Sequence, residues 1–248
     1  MPANHFTVFV PSYNAEKWVN NNLSSIFGQN YDNYDLFYVD DSSADGTYEE
    51  CLKYFKTAKF NGKNKKIVKN SFNKGKMYNI CAAMEEFRED TIVVIVDGDD
   101  WLHDENVLSK LNDYYTDDVW MTNGSYVIVP HDVVVTPKTS SEYWEGNIRT
   151  KSWEFSHLGT FRKRLFEKIK RKDFMNKQGE YFNTSSDQAI MWPIAEMSGP
   201  EHAKSINDVL YCYNRSNPLA DDIVNRKDQL DSEKDIRSRK SYSRLEHL

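Results

Sequence analysis

The sequence predicts an α/β fold: a mostly parallel central sheet with flanking helices, a small antiparallel hairpin and a C-terminal helical extension. Three observations carry that prediction. Over the first hundred residues, short β-rich runs alternate with helical patterns, the signal of parallel strands joined by crossover helices. The run from Thr91 to Val96, TIVVIV, is continuously apolar, as befits a central strand buried on both faces. After it the runs SYVIVP and VVVT flank Pro130, His131 and Asp132 as an antiparallel hairpin.

Four strands are expected in the first half, Phe6 to Val10, Tyr34 to Val39, Lys66 to Lys69 and Thr91 to Val96. Between them Val19, Leu23, Ile26 and Phe27 recur at helical spacing after a candidate cap at Asn14. Tyr48, Cys51, Leu52 and Phe55 do so after Asp45, and Met77, Ile80, Cys81 and Met84 repeat the pattern. Val107, Leu111 and Tyr114 suggest one more helix. The stretch from Thr136 to Ser156, with Tyr143, Trp144 and Trp153 among charges, suits a ligand-closing loop and an ordinary surface loop equally.

A chain of 248 residues that is 39% apolar can bury a substantial core without staples. Its three cysteines, Cys51, Cys81 and Cys212, are odd in number and form no C-x-x-C pair, so they read as reduced, buried thiols. A net charge of −6 argues against general nucleic-acid affinity, which needs clustered Lys and Arg. The opening MPANHFTVFVPSYN lacks a signal-peptide pattern, and no stretch approaches the roughly twenty apolar residues a spanning helix needs. The expectation is a soluble protein of a bacterial or virus-infected cytosol, with peripheral membrane contact left open. No Gly/Ser linker or repeat divides the chain, so residues 1–224 are read as one domain with a charged extension over 225–248, a solvated helix or partly disordered end.

Two of the strands end in acid, VDDSSADGT after the second and VDGDDW after the fourth. In a parallel sheet both C-terminal ends face one crevice, where open α/β sheets bind ligands. Carboxylates gathered there repel one another unless protons, bases or a cation neutralise them. An Asp-Gly turn is the bland reading of Asp97, Asp99 and Asp100; a hard-ligand site for Mg²⁺ or Mn²⁺ bridging to a diphosphate is the sharp one. The NKGK run around Gly75 begins a helix whose free N–H groups, with Lys76, suit an anion. No P-loop and no G-x-G-x-x-G is present.

In order and spacing, FVPSYN at 9–14, DDSSADGT at 40–47, NKGKMYNICAAM at 73–84 and IVDGDD at 95–100 resemble glycosyltransferase family 2, whose members have the Rossmann-like GT-A fold. The resemblance implies a nucleotide-sugar-binding half over residues 1–100 and an acceptor-side half over 101–224. It implies that Pro11 and Tyr13 line the base pocket and that Asp41 hydrogen-bonds the base. Gly75 and Lys76 would contact the nucleotide, Asp97 and Gly98 would lie at ribose and metal, and Asp99 would be the main metal ligand. FRKRLFEKI at 161–169 and SSDQAIMWPIAE at 185–196 resemble the acceptor-side segment and the acidic motif, which makes Asp187 the general base. Ser186 stands where the family carries Glu, and Pro193 is expected to interrupt the helix that follows. LYCYNRSNP at 210–218 offers Arg215 to the diphosphate, and His157 or His202 could add a third metal ligand. Trp101 and Trp192 are candidates to stack on an acceptor sugar.

The implied reaction is metal-dependent, inverting hexosyl transfer from a nucleoside-diphosphate sugar, UDP by default with GDP and dTDP open, to a hydroxyl on a glycan or glycoconjugate. Two rivals stand beside it. A GT-A protein that binds nucleotide sugar without transferring it draws on Ser186. A haloacid dehalogenase-type phosphatase draws on VIVDGDDW, but Trp101 occupies the position that needs Thr or Val.

Overall fold

The computed structural model describes residues 3–248, apart from the side chains of residues 221 and 222. The first half contains the four expected strands, β1 (Phe6–Ser12), β2 (Tyr34–Asp40), β3 (Lys65–Lys69) and β4 (Ile92–Ile95). Helices α1 (Val19–Phe27), α2 (Thr47–Thr57) and α3 (Lys76–Met84) cross between them. The second half follows as β5 (Trp101–Leu102), α4 (Val107–Tyr114), β6 (Met121–Val129), β7 (Val133–Val135), β8 (Gly159–Arg162) and α5 (Lys163–Glu167). It closes with α6 (Ser186–His202), β9 (Ala203–Asn214), α7 (Asp221–Val224) and α8 (Arg226–Ser238).

The sheet runs β3-β2-β1-β4-β8-β6-β9-β5, with β7 paired to β6 as the expected hairpin. The strands β1 to β4 are mutually parallel, β8 is antiparallel to both neighbours, and β6 and β9 are again parallel. The strand β4 lies inside the sheet because both its faces are apolar. Phe9 and Val93 enter the core on one side, while Val8, Val10, Ile92 and Val94 enter the core on the other. Register then fixes the crevice: Ser12 lies opposite Asp40, Asp40 opposite Lys69 and Phe9 opposite Ile95, so these strands end along one edge.

Four local expectations are corrected or refined. Asn14 does not cap a helix; its Oδ1 accepts from the Ala44 N–H at 2.9 Å, and a 3-10 turn at Glu16–Trp18 precedes α1. Pro193 does not interrupt α6; the helix runs through it and breaks at Gly199, which sits at φ 59°. Nearly every side chain from Ser186 to Gly199 is buried, so packing outweighs the carbonyl partner that Pro193 removes.

The stretch from Thr136 to Ser156 is neither an open lid nor a plain surface loop. Tyr143 and Phe155 are buried, and Arg149 makes a two-pronged ion pair with Glu196 at 2.6 and 2.8 Å while donating to the Ile236 carbonyl at 2.7 Å. The C-terminal segment forms the expected helix α8 and docks it: Ile236 is buried, and Tyr242 and Leu245 pack against the same core. The cysteines are free, with Cys51 and Cys212 buried and Cys81 half-buried. Among the described residues, no helix is long and apolar enough to cross a membrane.

Candidate functional site

At the C-terminal edge of the parallel strands the two acidic segments meet through one loop. Asp41 follows β2, and its carboxylate accepts from Asn70 Nδ2 at 2.7 Å and from the backbone N–H groups of Lys74 and Gly75 at 2.9 and 2.8 Å. Gly75 turns there with φ 85°, a conformation that favours glycine. The anion expected at the head of α3 is thus, for these two N–H groups, a carboxylate of the chain itself. The next residue, Lys76, places its Nζ 2.6 Å from Asp97 Oδ1 in the loop after β4. Asp41 and Asp97 therefore flank the same short turn.

The Asp97–Asp100 loop is held from beneath on every side. Gly98 donates to the Pro11 carbonyl at 3.1 Å, and a Cβ there would lie 2.4 Å from Ser12 Oγ and 2.9 Å from Ser12 Cα, so only glycine fits. Asn22 of α1 donates to the carbonyls of Asp97 and Asp100 at 2.9 and 2.8 Å. Asp100 is buried, accepting from the Tyr211 hydroxyl and the Asn214 N–H, each at 2.7 Å, and it acts as the clamp to β9. Asn214 donates to the Asp99 carbonyl at 3.0 Å and Asn217 to Asp99 Oδ2 at 2.7 Å.

Charge is congested there. Burial, and then the neighbouring Asp97, raise the Asp99 carboxyl above its ordinary range; burial, Asp99 and Asp97 raise Asp100 further. Across the cleft Asp187 stands in the first turn of α6, its pKa raised by burial against the opposing pull of Lys76. Lys76, Asp97, His157 and Asp187 line a single cleft whose lining also includes Ile80, Ile95 and Ile190. Burial pushes the His157 imidazole down to about 4, so it is neutral at physiological pH.

Other candidates fall elsewhere or act differently. Pro11 is buried in β1, and Tyr13 beside it is exposed. Arg215 donates its backbone N–H to the Val129 carbonyl and holds its guanidinium 3.4 Å from the Tyr213 hydroxyl; it is the flanking Asn214 and Asn217 that touch Asp99. His202 lies at the opposite end of β9, stacked on Trp120 at 3.6 Å, which removes it from the cleft. Trp101, in β5 against Cys212, lines a separate groove with Asn21 and Ser24. Trp192 cannot stack on an acceptor: it is 0% exposed, packed edge-on against Trp153 and Phe155 and beneath Arg237.

Asn22, Tyr211, Asn214 and Asn217 were not singled out by sequence. Only Asn22 carries a signal, being a polar residue on the Val19-Leu23-Ile26 stripe that α1 buries. Among the described residues, no three His, Cys, Asp or Glu side chains gather as a complete metal cage.

This geometry defines a GT-A fold with an acidic loop at its ligand edge. The profile described as Glycosyl transferase family 2 matches residues 7–184, and the chain belongs to that family. It is 33% identical over 104 residues to poly(ribitol-phosphate) β-N-acetylglucosaminyltransferase TarS of Staphylococcus aureus, covering 41% of this chain and 17% of that one. It is 25% identical over 129 residues to the UDP-Glc:α-D-GlcNAc-diphosphoundecaprenol β-1,3-glucosyltransferase WfgD of Escherichia coli, covering 52% and 48%. The matched segments thus span less than half of these curated relatives. The crystal structure of S. aureus TarS 1-349 with UDP-GlcNAc superposes with TM-score 0.61 at 18% identity, over 86% of this chain and 59% of that one. The mannosyltransferase PcManGT of Pyrobaculum calidifontis, with GDP-Man and Mn²⁺, gives 0.65 at 20% identity over 97% and 66%. Family membership removes the phosphatase reading.

Proposed function

We propose that this chain transfers a sugar from a nucleoside-diphosphate sugar, a UDP-sugar in the first instance, to a hydroxyl of a glycan or glycoconjugate. The observation that carries this reading is the convergence of Asp97, Lys76 and Asp187 in one cleft at the C-terminal edge of the parallel strands. The UDP choice draws on the relatives: TarS is crystallised with UDP-GlcNAc and WfgD is named for UDP-Glc. Their named acceptors, poly(ribitol-phosphate) and a diphosphoundecaprenol-linked GlcNAc, support a glycoconjugate acceptor.

The base is read to lie against Pro11 and Tyr13, with Asp41 and the Gly75 turn as its polar wall. Asp187 takes the proton of the acceptor hydroxyl as that oxygen attacks the anomeric carbon, and a carboxyl raised by burial is a better base for it. One displacement inverts the anomeric configuration. Lys76 and Arg215 supply positive charge toward the departing diphosphate. The acidic loop fits a divalent cation, Mn²⁺ or Mg²⁺: Asp97 and Asp99 offer hard oxygens, carry excess negative charge and leave coordination to be completed by phosphate and water. Such an ion would offset the charge on the leaving group.

Ser186 in the place of the family's Glu favours a second reading, donor binding without transfer. One experiment separates the two. UDP-, GDP- and dTDP-sugars are screened by thermal shift with and without Mn²⁺, then assayed for transfer with wild type and Asp187→Asn. Selective stabilisation plus transfer lost in the variant supports the enzyme. Stabilisation without transfer to any acceptor supports the binder, and no stabilisation by any donor overturns both.

A further inference from the structure

His157 presents a polar ring to the cleft with no protein group to satisfy it. Its imidazole stacks on Tyr211, with centroids 4.7 Å apart and planes 5° from parallel, and on Tyr213 at 5.0 Å and 27°; Tyr126 meets it edge-on at 5.6 Å. Those contacts fix the plane of the ring. Among the described residues, neither ring nitrogen has a hydrogen-bond partner. A half-buried ring nitrogen with no protein partner is left to hydrogen-bond solvent or a ligand that enters the cleft.

The ring is also fixed relative to the chemistry. Tyr211, which carries it, donates to Asp100 and accepts from the Asp97 N–H. The imidazole is therefore tied to the acidic loop on one side, and it shares the cleft with Asp187 on the other. A neutral imidazole offers one donor and one acceptor, the complement of a sugar hydroxyl, and a stacked ring loses little freedom on binding.

We propose that His157 is a substrate-binding residue that hydrogen-bonds a hydroxyl of the donor's sugar ring, orienting the pyranose between the acidic loop and Asp187. This rests on the sugar-transfer reading above. It assigns to His157 recognition of the sugar, distinct from recognition of the nucleotide or the cation.

The test uses the full chain with UDP, UDP-GlcNAc, UDP-glucose and GDP-mannose in the presence of Mn²⁺, read by calorimetry and by steady-state transfer. His157→Phe keeps an aromatic ring in the stack and removes both nitrogens; His157→Gln keeps a donor and an acceptor. The expected result is wild-type affinity of the Phe variant for UDP, with its affinity for the preferred nucleotide sugar weakened about tenfold, the worth of one hydrogen bond in a water-poor cleft. The Gln variant recovers part of that loss. A Phe variant that binds and turns over the nucleotide sugar like wild type overturns the proposal alone. So does one that loses UDP or Mn²⁺ affinity to the same degree, which would make His157 a nucleotide or metal residue. A wild type that binds none of the donors overturns the sugar-transfer reading as well. Melting of the Phe variant within a few degrees of wild type establishes that the comparison is between folded proteins.

Discussion

The two acidic segments read alike in sequence, and the fold uses them in opposite ways. After β2 two of the three carboxylates are consumed internally: Asp41 collects three donors from the loop that leads into α3, and Asp45 accepts from the Thr47 backbone and hydroxyl at the head of α2, while Asp40, its pKa raised by burial, accepts from the Ser43 N–H. After β4 the charge is left in excess: Asp99 and Asp100 are pushed up by burial and by each other's neighbours, and Asp97 has the Lys76 ammonium against it. Satisfied carboxylates build a loop, whereas congested ones mark where a cation or a positively charged ligand gains energy by binding.

That contrast is sharpened most by Asp187, which belongs to neither segment but faces the second. Asp187→Asn is expected to lower kcat by about 10²–10⁴, the usual worth of a general base, with nucleotide-sugar affinity retained. The wild-type pH profile should show an acid limb above the ordinary aspartate value of about 3.9, because burial raises this carboxyl and activity is lost as pH falls through the raised value. The limb should vanish in the variant. Retained activity in Asp187→Asn would remove the base from this site.

Asp41→Ala tests the first segment. Removing the carboxylate strands the Asn70 amide and the Lys74 and Gly75 N–H groups, so chemical denaturation should show a loss of about 2–4 kcal/mol. Gly98→Ala comes next: its Cβ would press on Ser12 Oγ at 2.4 Å, and about 1–3 kcal/mol of destabilisation with displaced nucleotide binding is expected from calorimetry.

How much of this was legible in the sequence divides along the same line. The strands and helices of the first half follow from apolar periodicity, which is local, and so does the shared edge, because parallel strands end together. What each carboxylate does once there is decided by partners 30 to 120 positions away, as with Asp41 and Gly75, or Asp99 and Asn217. No local pattern encodes those pairings. Trp192 fails as an acceptor contact for a related reason: its helix is almost wholly buried, Arg237 lies over the ring, and Trp153 and Phe155 close against it from a stretch whose composition suits a ligand-closing loop and a surface loop equally. Asn22 is the exception, legible as a polar residue on an apolar stripe.

The smallest expected effect has the opposite sign. Asp99 has a folded-state pKa above its unfolded one, so the folded protein holds that proton more tightly. Stability from this group is complete below the unfolded pKa and is lost as pH rises through the folded value. Without a cation, Asp99→Asn should therefore melt no lower than wild type at neutral pH, with a gain under about 1 kcal/mol that grows from acid to neutral pH and then levels. With Mn²⁺ and nucleotide sugar the order should reverse, because wild type gains ligand stabilisation that the variant has lost. A variant that is destabilised in both conditions, as Asp41→Ala is expected to be, would make the second segment structural too, and the contrast between the two acidic segments would disappear.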